Sequence, residues 1–249
     1  EDDNAEQLID RNGNGNLDVG DSLRGVLEIN QTVGTIIGGP AGFGGAELTG
    51  IFETVVVAKN FVRIDGQGNA RYDYVFAPTA ADGTIVKLYL DQTPDLQLTG
   101  ATNCASVVDC ENKATDGALL MTFGFDPNGD GNEFWFAADA VENTSAVHGL
   151  PATFKVGVAN YGLSVLVNNT GKTFTTQDCS FLSPTCAGGD QGVEVIGSGD
   201  VLGGQGLTNG YIAHSDFDYQ LQTVPEPASL ALLGMGLLGV GASLRKRRA

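Results

Sequence analysis

Twelve consecutive residues, DRNGNGNLDVGD from Asp10 to Asp21, carry six oxygen-bearing side chains: Asp10, Asn12, Asn14, Asn16, Asp18 and Asp21. Numbered from one, Asp10, Asn12, Asn14, Asp18 and Asp21 fall at positions 1, 3, 5, 9 and 12. Gly15 occupies position 6, where such a loop must turn sharply, and Asn16 at position 7 offers its backbone carbonyl. Leu17, one residue on, is placed to face a core. A hard cation such as Ca²⁺, which takes six to eight oxygens, is served by this alternation. The competing reading is a metal-free turn, because Asn and Gly form turns without an ion. A second stretch, DPNGDGNEFWFA, puts Asp126, Asn128 and Asp130 at positions 1, 3 and 5, with Gly131 at 6. Its position 12 is Ala137, so the closing carboxylate must come from Glu133 or Asp139. A plain turn between two strands is expected there.

No catalytic residue is expected. The chain has no G-x-S-x-G and no phosphate loop. His148 and His214 are remote from any metal-ligand spacing, and no C-x-x-C occurs. Glu133 beside Phe134, Trp135 and Phe136 suggests an acid among aromatics, but a strand residue facing solvent next to a core tryptophan is the better account. Trp135, Tyr72, Tyr74 and Tyr89 have faces that could stack on sugars, yet in strands such residues are more often core. The four cysteines form two close pairs in sequence, Cys104 with Cys110 and Cys179 with Cys186. Proximity favours that pairing among the three possible ones, and disulfides imply an oxidising compartment.

The elements that must hold these residues read as strands. β-rich or alternating runs cover Gly25–Val33, Gly50–Ile64, Ala70–Pro78 and Thr84–Asp91, then Ala118–Asp126 and Glu133–Val141. They continue through Ala152–Asn168, Gly192–Val201 and Tyr211–Gln222. Asp65–Asn69 is a hairpin turn, and Asn-Thr-Gly after Asn168 signals another. Residues 4–9 and 108–115 are candidates for short helices. Gly34–Gly50 reads as a long surface loop. Many short strands with Gly, Asn and Asp turns predict an all-β fold, an antiparallel β-sandwich or jelly roll. The expected division is residues 1–21 as an N-terminal segment with the calcium-type loop, 22–222 as the β ectodomain, and 223–249 as a C-terminal unit.

Charge narrows the function. The chain carries 13 basic against 30 acidic residues, a formal −17, and four of the basic ones crowd the end. Without those four the rest stands at about −21. Such a body repels nucleic acid, so no nucleic-acid partner is expected. It favours divalent cations and solubility after export. A first residue of Glu1 rather than Met fits a processed exported chain. Asn30, Asn143 and Asn168 match glycosylation triplets, which in a bacterium are mostly accidental.

The last segment decides most. Val224-Pro225-Glu226-Pro227 precedes Ala228–Leu244, 17 residues without a charge, and then Arg245, Lys246, Arg247 and Arg248. Seventeen residues is the lower limit for a membrane-spanning helix, and the basic cluster stops transfer and stays cytoplasmic. Pro-Glu-Pro resists helix and sheet because each Pro lacks an amide donor and restricts its predecessor. This arrangement resembles the sorting signal of the PEP-CTERM proteins. The resemblance implies a Gram-negative host that makes an exopolysaccharide. It also implies an exosortase partner, a membrane transpeptidase that processes the tail near Pro225-Glu226-Pro227. The precursor would be anchored in the inner membrane and then pass to the cell surface or matrix. The Asp10–Asp21 loop, for its part, resembles an EF-hand or dockerin calcium loop, departing from an EF-hand in Asp21 where that family has Glu. A shorter carboxylate implies weaker binding, and the flanks are too short or too β-like for EF-hand helices.

The combined expectation is a non-enzymatic surface or matrix protein of biofilm or floc, associated with exopolysaccharide and stabilised by Ca²⁺. A calcium-dependent carbohydrate-binding module is the alternative, and a secreted glycan hydrolase a third.

Overall fold

A computed structural model describes residues 2–29, 46–98, 103–129, 131–143, 155–180, 182, 192–203, 209–211 and 213–224. The strands in chain order are β1 (Asp2–Ile9), β2 (Ser22–Ile29), β3 (Glu47–Ile64), β4 (Ala70–Pro78) and β5 (Thr84–Asp91). After the helix α1 (Val107–Thr115) come β6 (Ala118–Gly124), β7 (Phe134–Val141), β8 (Lys155–Asn168), β9 (Phe174–Thr175), β10 (Val195–Gly203) and β11 (Ala213–Thr223).

Every ladder is antiparallel, as expected, but the strands do not divide into two stacked sheets. They form one 11-stranded sheet that closes on itself. The sandwich or jelly-roll expectation is corrected to this continuous sheet, and the cause lies in two long strands. β3 offers one edge first to β5, through Glu47–Phe52, and then to β4, through Thr54–Ile64. β8 divides its edge in the same way between β7 and β6. Its other edge pairs β10, which leads through β11, β1 and β2 back to β3. Closure leaves few free strand edges, which are otherwise templates for association.

The inner face holds the main core. Trp135 lies 4.9 Å from the Tyr161 ring, 5.9 Å from Phe217 and 6.4 Å from Phe52. A residual cavity of about 30 Å³ beside these rings has room for water-sized guests only. On the outer face, α1 covers Ala5, Val26, Leu96, Leu98 and Tyr211. Its N-cap is Ser106, whose side chain accepts from the Asp109 amide. The Cys104–Cys110 disulfide pins the entry to the helix, with Cα atoms 5.0 Å apart. Cys179 is also buried and disulfide-bonded, and its expected partner Cys186 lies outside the described residues.

Several local expectations change. Residues 4–9 belong to β1, not a helix, so the first residues and the body share one sheet. The alternation there is inverted. Asn4 lines the interior beside Trp135 and Phe217, and Glu6 is also buried, while Ala5 packs under α1. The predicted hairpin after Asn168 does not form, because β9 pairs β11 instead of β8. Asn168 caps its own turn, accepting from the Thr170 amide at 3.0 Å. The helix expected at 108–115 and the β3–β4 hairpin are present. Most of the long loop expected at Gly34–Gly50 lies outside the described residues, and its last four residues open β3.

Candidate functional site

The Asp10–Asp21 loop is the connection of the β1–β2 hairpin, whose last cross-strand pair is Ile9 with Ser22. Strands rather than helices flank it, so the EF-hand or dockerin likeness is not supported beyond the spacing of its oxygens. Leu17 anchors the loop. It is fully buried, its amide donates to the Glu142 carbonyl at 2.7 Å, and its own carbonyl accepts from the Tyr74 hydroxyl at 3.2 Å. Asn16 bridges Asn143. Asp21 fastens the far end, where its backbone carbonyl accepts from the Val56 amide.

The loop turns its oxygens inward on its own amides. Asp10 accepts from Asn12 and Gly13 through Oδ1 and from Gly15 through Oδ2. Those amides, Gly15 first, hold the Asp10 carboxyl below its ordinary range. Asp21 accepts from the Arg11 and Asp18 amides. Asn12 and Asn14 each accept from the amide two residues on and donate to Asp18 Oδ2.

A cation already serves Asp18. Lys59 Nζ, from β3, lies 2.6 Å from Asp18 Oδ1 and 3.0 Å from Glu142 Oε2. It also sits 4.6 Å from the centre of the Tyr72 ring. The Lys59 bond, with help from Asn14, lowers the Asp18 carboxyl to about 2. Burial alone would favour neutral lysine, but the two carboxylates outweigh it and raise the ammonium above its ordinary range. Sequence reading missed Lys59 and Glu142, which are far from the loop in the chain and belong to no motif. Each carboxylate oxygen has two lone pairs, so bonds from backbone amides leave room for a metal ion. Lys59 competes with one directly.

The second loop is braced differently. Asp126 Oδ1 accepts from the Asn128 amide at 2.8 Å, while Glu133 Oε1 accepts from the Asp126 amide at 3.1 Å and the Ser164 hydroxyl at 2.7 Å. Glu133 is thus a half-buried brace. Asp139 is engaged elsewhere, in an ion pair with Arg63, and Asp130 lies outside the described residues. The strands on either side, β6 and β7, do not pair with each other.

The aromatic candidates separate. Trp135 and Tyr74 are buried in the core and offer no face to a sugar. Tyr72 packs edge-on against Phe61 at 5.8 Å. Phe61 is 60% exposed and Ile64 58%, so the far end of β3 presents an apolar surface to solvent. A cleft of about 320 Å³ between β2, β3, β5 and α1 carries Arg24, Glu53, Lys87 and Glu111 on its walls.

The folded body ends where the tail begins. β11 stops at Thr223, and the Val224 amide donates to the Thr173 carbonyl at 2.8 Å. Pro225, Glu226 and Pro227, the apolar run and the basic cluster lie outside the described residues, as does the predicted membrane helix. Among the described residues no helix is long and apolar enough to cross a membrane. Residues 223–248 match the family description PEP-CTERM protein-sorting motif. The chain carries an exosortase sorting signal. The PEP-CTERM match supports an exported protein whose membrane-anchored precursor is processed by an exosortase for display at the cell surface. No curated protein and no solved structure matches this chain.

Proposed function

We propose that this chain is a non-enzymatic surface or extracellular-matrix protein of a Gram-negative bacterium, built into the exopolysaccharide of a biofilm or floc. The PEP-CTERM motif at 223–248 carries the reading. The apolar run Ala228–Leu244 serves as a temporary membrane helix, and Pro225-Glu226-Pro227 stays extended for the exosortase. The acidic, closed β body is the delivered cargo. Ca²⁺ at the Asp10–Asp21 loop cross-braces the β1–β2 hairpin, since Leu17 and Asp21 tie that loop to the sheet; the Asp126–Asn132 turn is a weaker second place for the ion.

The test is made in the native host. Replacing Pro225, Glu226 and Pro227 by alanine should trap full-length precursor in the inner membrane and empty the surface fraction. An unchanged distribution would overturn the sorting role. Purified protein should sediment with the host exopolysaccharide and release no reducing ends from it; steady release would sink the non-enzymatic part. The cleft bearing Arg24, Glu53, Lys87 and Glu111 favours a second reading, a calcium-dependent carbohydrate-binding module, because sugars need such mixed donors and acceptors. Saturable heat with oligosaccharide, abolished by EDTA, would select it.

A further inference from the structure

The start of β3 and the end of β5 gather three carboxylates that no sequence motif connects. Glu47 stands directly across from Asp91 in the ladder, and Asp95 follows in the next turn of chain. One carboxylate oxygen from each of the three lies within 4.8 Å of the others. Like charges facing each other across a ladder destabilise it. No described Lys or Arg is ion-paired with any of them. Asp116, at the end of α1, borders the group. Burial, then the charges of Asp91 and Asp95, raises its carboxyl above the ordinary range, and nearby Lys113 only partly offsets this. Glu47 is raised by burial and by the same two aspartates.

Some of these oxygens have structural duties. Glu47 accepts from the Asp95 amide at 3.0 Å and from the Leu96 amide at 3.2 Å, which fixes the segment after β5. Asp91 Oδ1 accepts from the amide and hydroxyl of Thr93. Those duties leave one observation unexplained. Asp91 is only 7% exposed, and its Oδ2 is buried without a hydrogen-bond partner. Native proteins rarely leave a buried carboxylate oxygen unsatisfied.

We propose that Glu47, Asp91 and Asp95 form a divalent-cation site of the calcium class, with the buried Asp91 Oδ2 as a ligand. The donors are all hard oxygens, with neither His nor Cys among them, which selects against zinc and copper. Calcium accepts mixed carboxylate and water shells of irregular geometry, whereas magnesium demands a near-ideal octahedron. Exposed Asp95 leaves an open side for water. The ion ties the start of β3 to the segment after β5. It is separate from the β1–β2 loop and does not depend on that loop binding calcium.

The experiment uses the full chain in detergent micelles, stripped of metal, titrated calorimetrically with CaCl₂ and melted with and without calcium. Asp91→Asn removes the buried ligand. Asp95→Asn tests the same site at an exposed position whose side chain holds no hydrogen bond among the described residues, so it decides the matter if the first variant does not fold. Each should weaken one binding event by about tenfold or more, while an Asp10→Asn, Asp18→Asn double variant keeps that event. In EDTA, Asp95→Asn should melt at or above the unaltered chain, because repulsion is relieved. In millimolar calcium the order should reverse. Equal calcium heats in both site variants and the unaltered chain would overturn the proposal. So would equal calcium stabilisation of Asp95→Asn, or no calcium heat in the unaltered chain.

Discussion

Two charged side chains held inside the fold, Glu6 and Lys59, each give a prediction. Glu6 is fully enclosed, with Oε2 accepting from the Leu202 amide and the Ser215 hydroxyl at 2.6 Å. Burial raises its carboxyl to about 7 despite those bonds. The unfolded chain releases this proton near 4.5, so between 4.5 and 7 the folded state binds more protons. Stability from this group is therefore greatest at low pH and falls as pH rises through that window, by about 3 kcal/mol. Glu6→Gln should flatten the fall and melt higher than the unaltered chain at pH 8, with little difference at pH 5. Parallel melting curves at the two pH values would contradict the assignment. Lys59 gives the second prediction. Lys59→Met removes the cation beside Asp18 and Glu142, leaving two partly buried carboxylates unpaired, and should cost about 1–2 kcal/mol in EDTA. If calcium binds the Asp10–Asp21 loop, the same change removes its competitor and should tighten calcium binding there. Titration calorimetry would show a loop affinity at or below that of the unaltered chain if Lys59 does not compete.

Strands and turns repeat the point with backbone instead of charge. Where β5 begins and β6 ends, the chains approach so closely that a Cβ on Gly83 would lie 1.8 Å from the Phe125 carbonyl oxygen. Gly83 also has φ +82°. Gly83→Ala should cost about 3 kcal/mol or more, from clash and left-handed strain together. Gly68, in the β3–β4 turn, has φ +87° but nothing within 4 Å. Gly68→Ala should cost only the conformational part, about 1–2 kcal/mol. Equal losses in denaturant titrations would show that close approach is not what Gly83 serves. Legibility in the sequence follows the same division. Thr84–Asp91 was readable to the residue because its alternation faces one core and ends at turn residues. β1 was not, because its inward residues Asn4 and Glu6 are polar and its outward Ala5 is covered by a helix. Sheet closure was unreadable, since it depends on how β3 and β8 divide their edges among distant partners. The loop oxygens were legible as a spacing, but Lys59 and the Glu47–Asp91–Asp95 group come together only through registers that local pattern does not encode.

At the scale of the whole chain, body and tail meet without a spacer yet are built on separate physics. Among the described residues the core reaches Leu221, and the last described bond, from Val224 to Thr173, closes the β9 edge before the sorting motif proceeds. The three buried clusters of the described body are built from residues up to Leu221. Truncation after Val224 should therefore leave the melting temperature within about 2 °C, less than the shift expected for 1 kcal/mol in a domain of this size. Charge works against this slightly, because the cut removes four cations and one carboxylate and leaves the body near about −20. Self-repulsion of that kind is long-ranged and screened over about 10 Å at 0.1 M salt. Its signature is a truncated body that melts lower at low ionic strength and recovers in sodium chloride. A bound calcium ion acts locally, so millimolar calcium should stabilise the body beyond sodium chloride of equal ionic strength. If sodium chloride and calcium coincide at matched ionic strength, the acidic surface is only a diffuse field and the specific ion sites fail together. If truncation itself lowers the melting temperature by many degrees at high salt, the tail is part of the fold, and the separation of cargo from sorting signal is wrong.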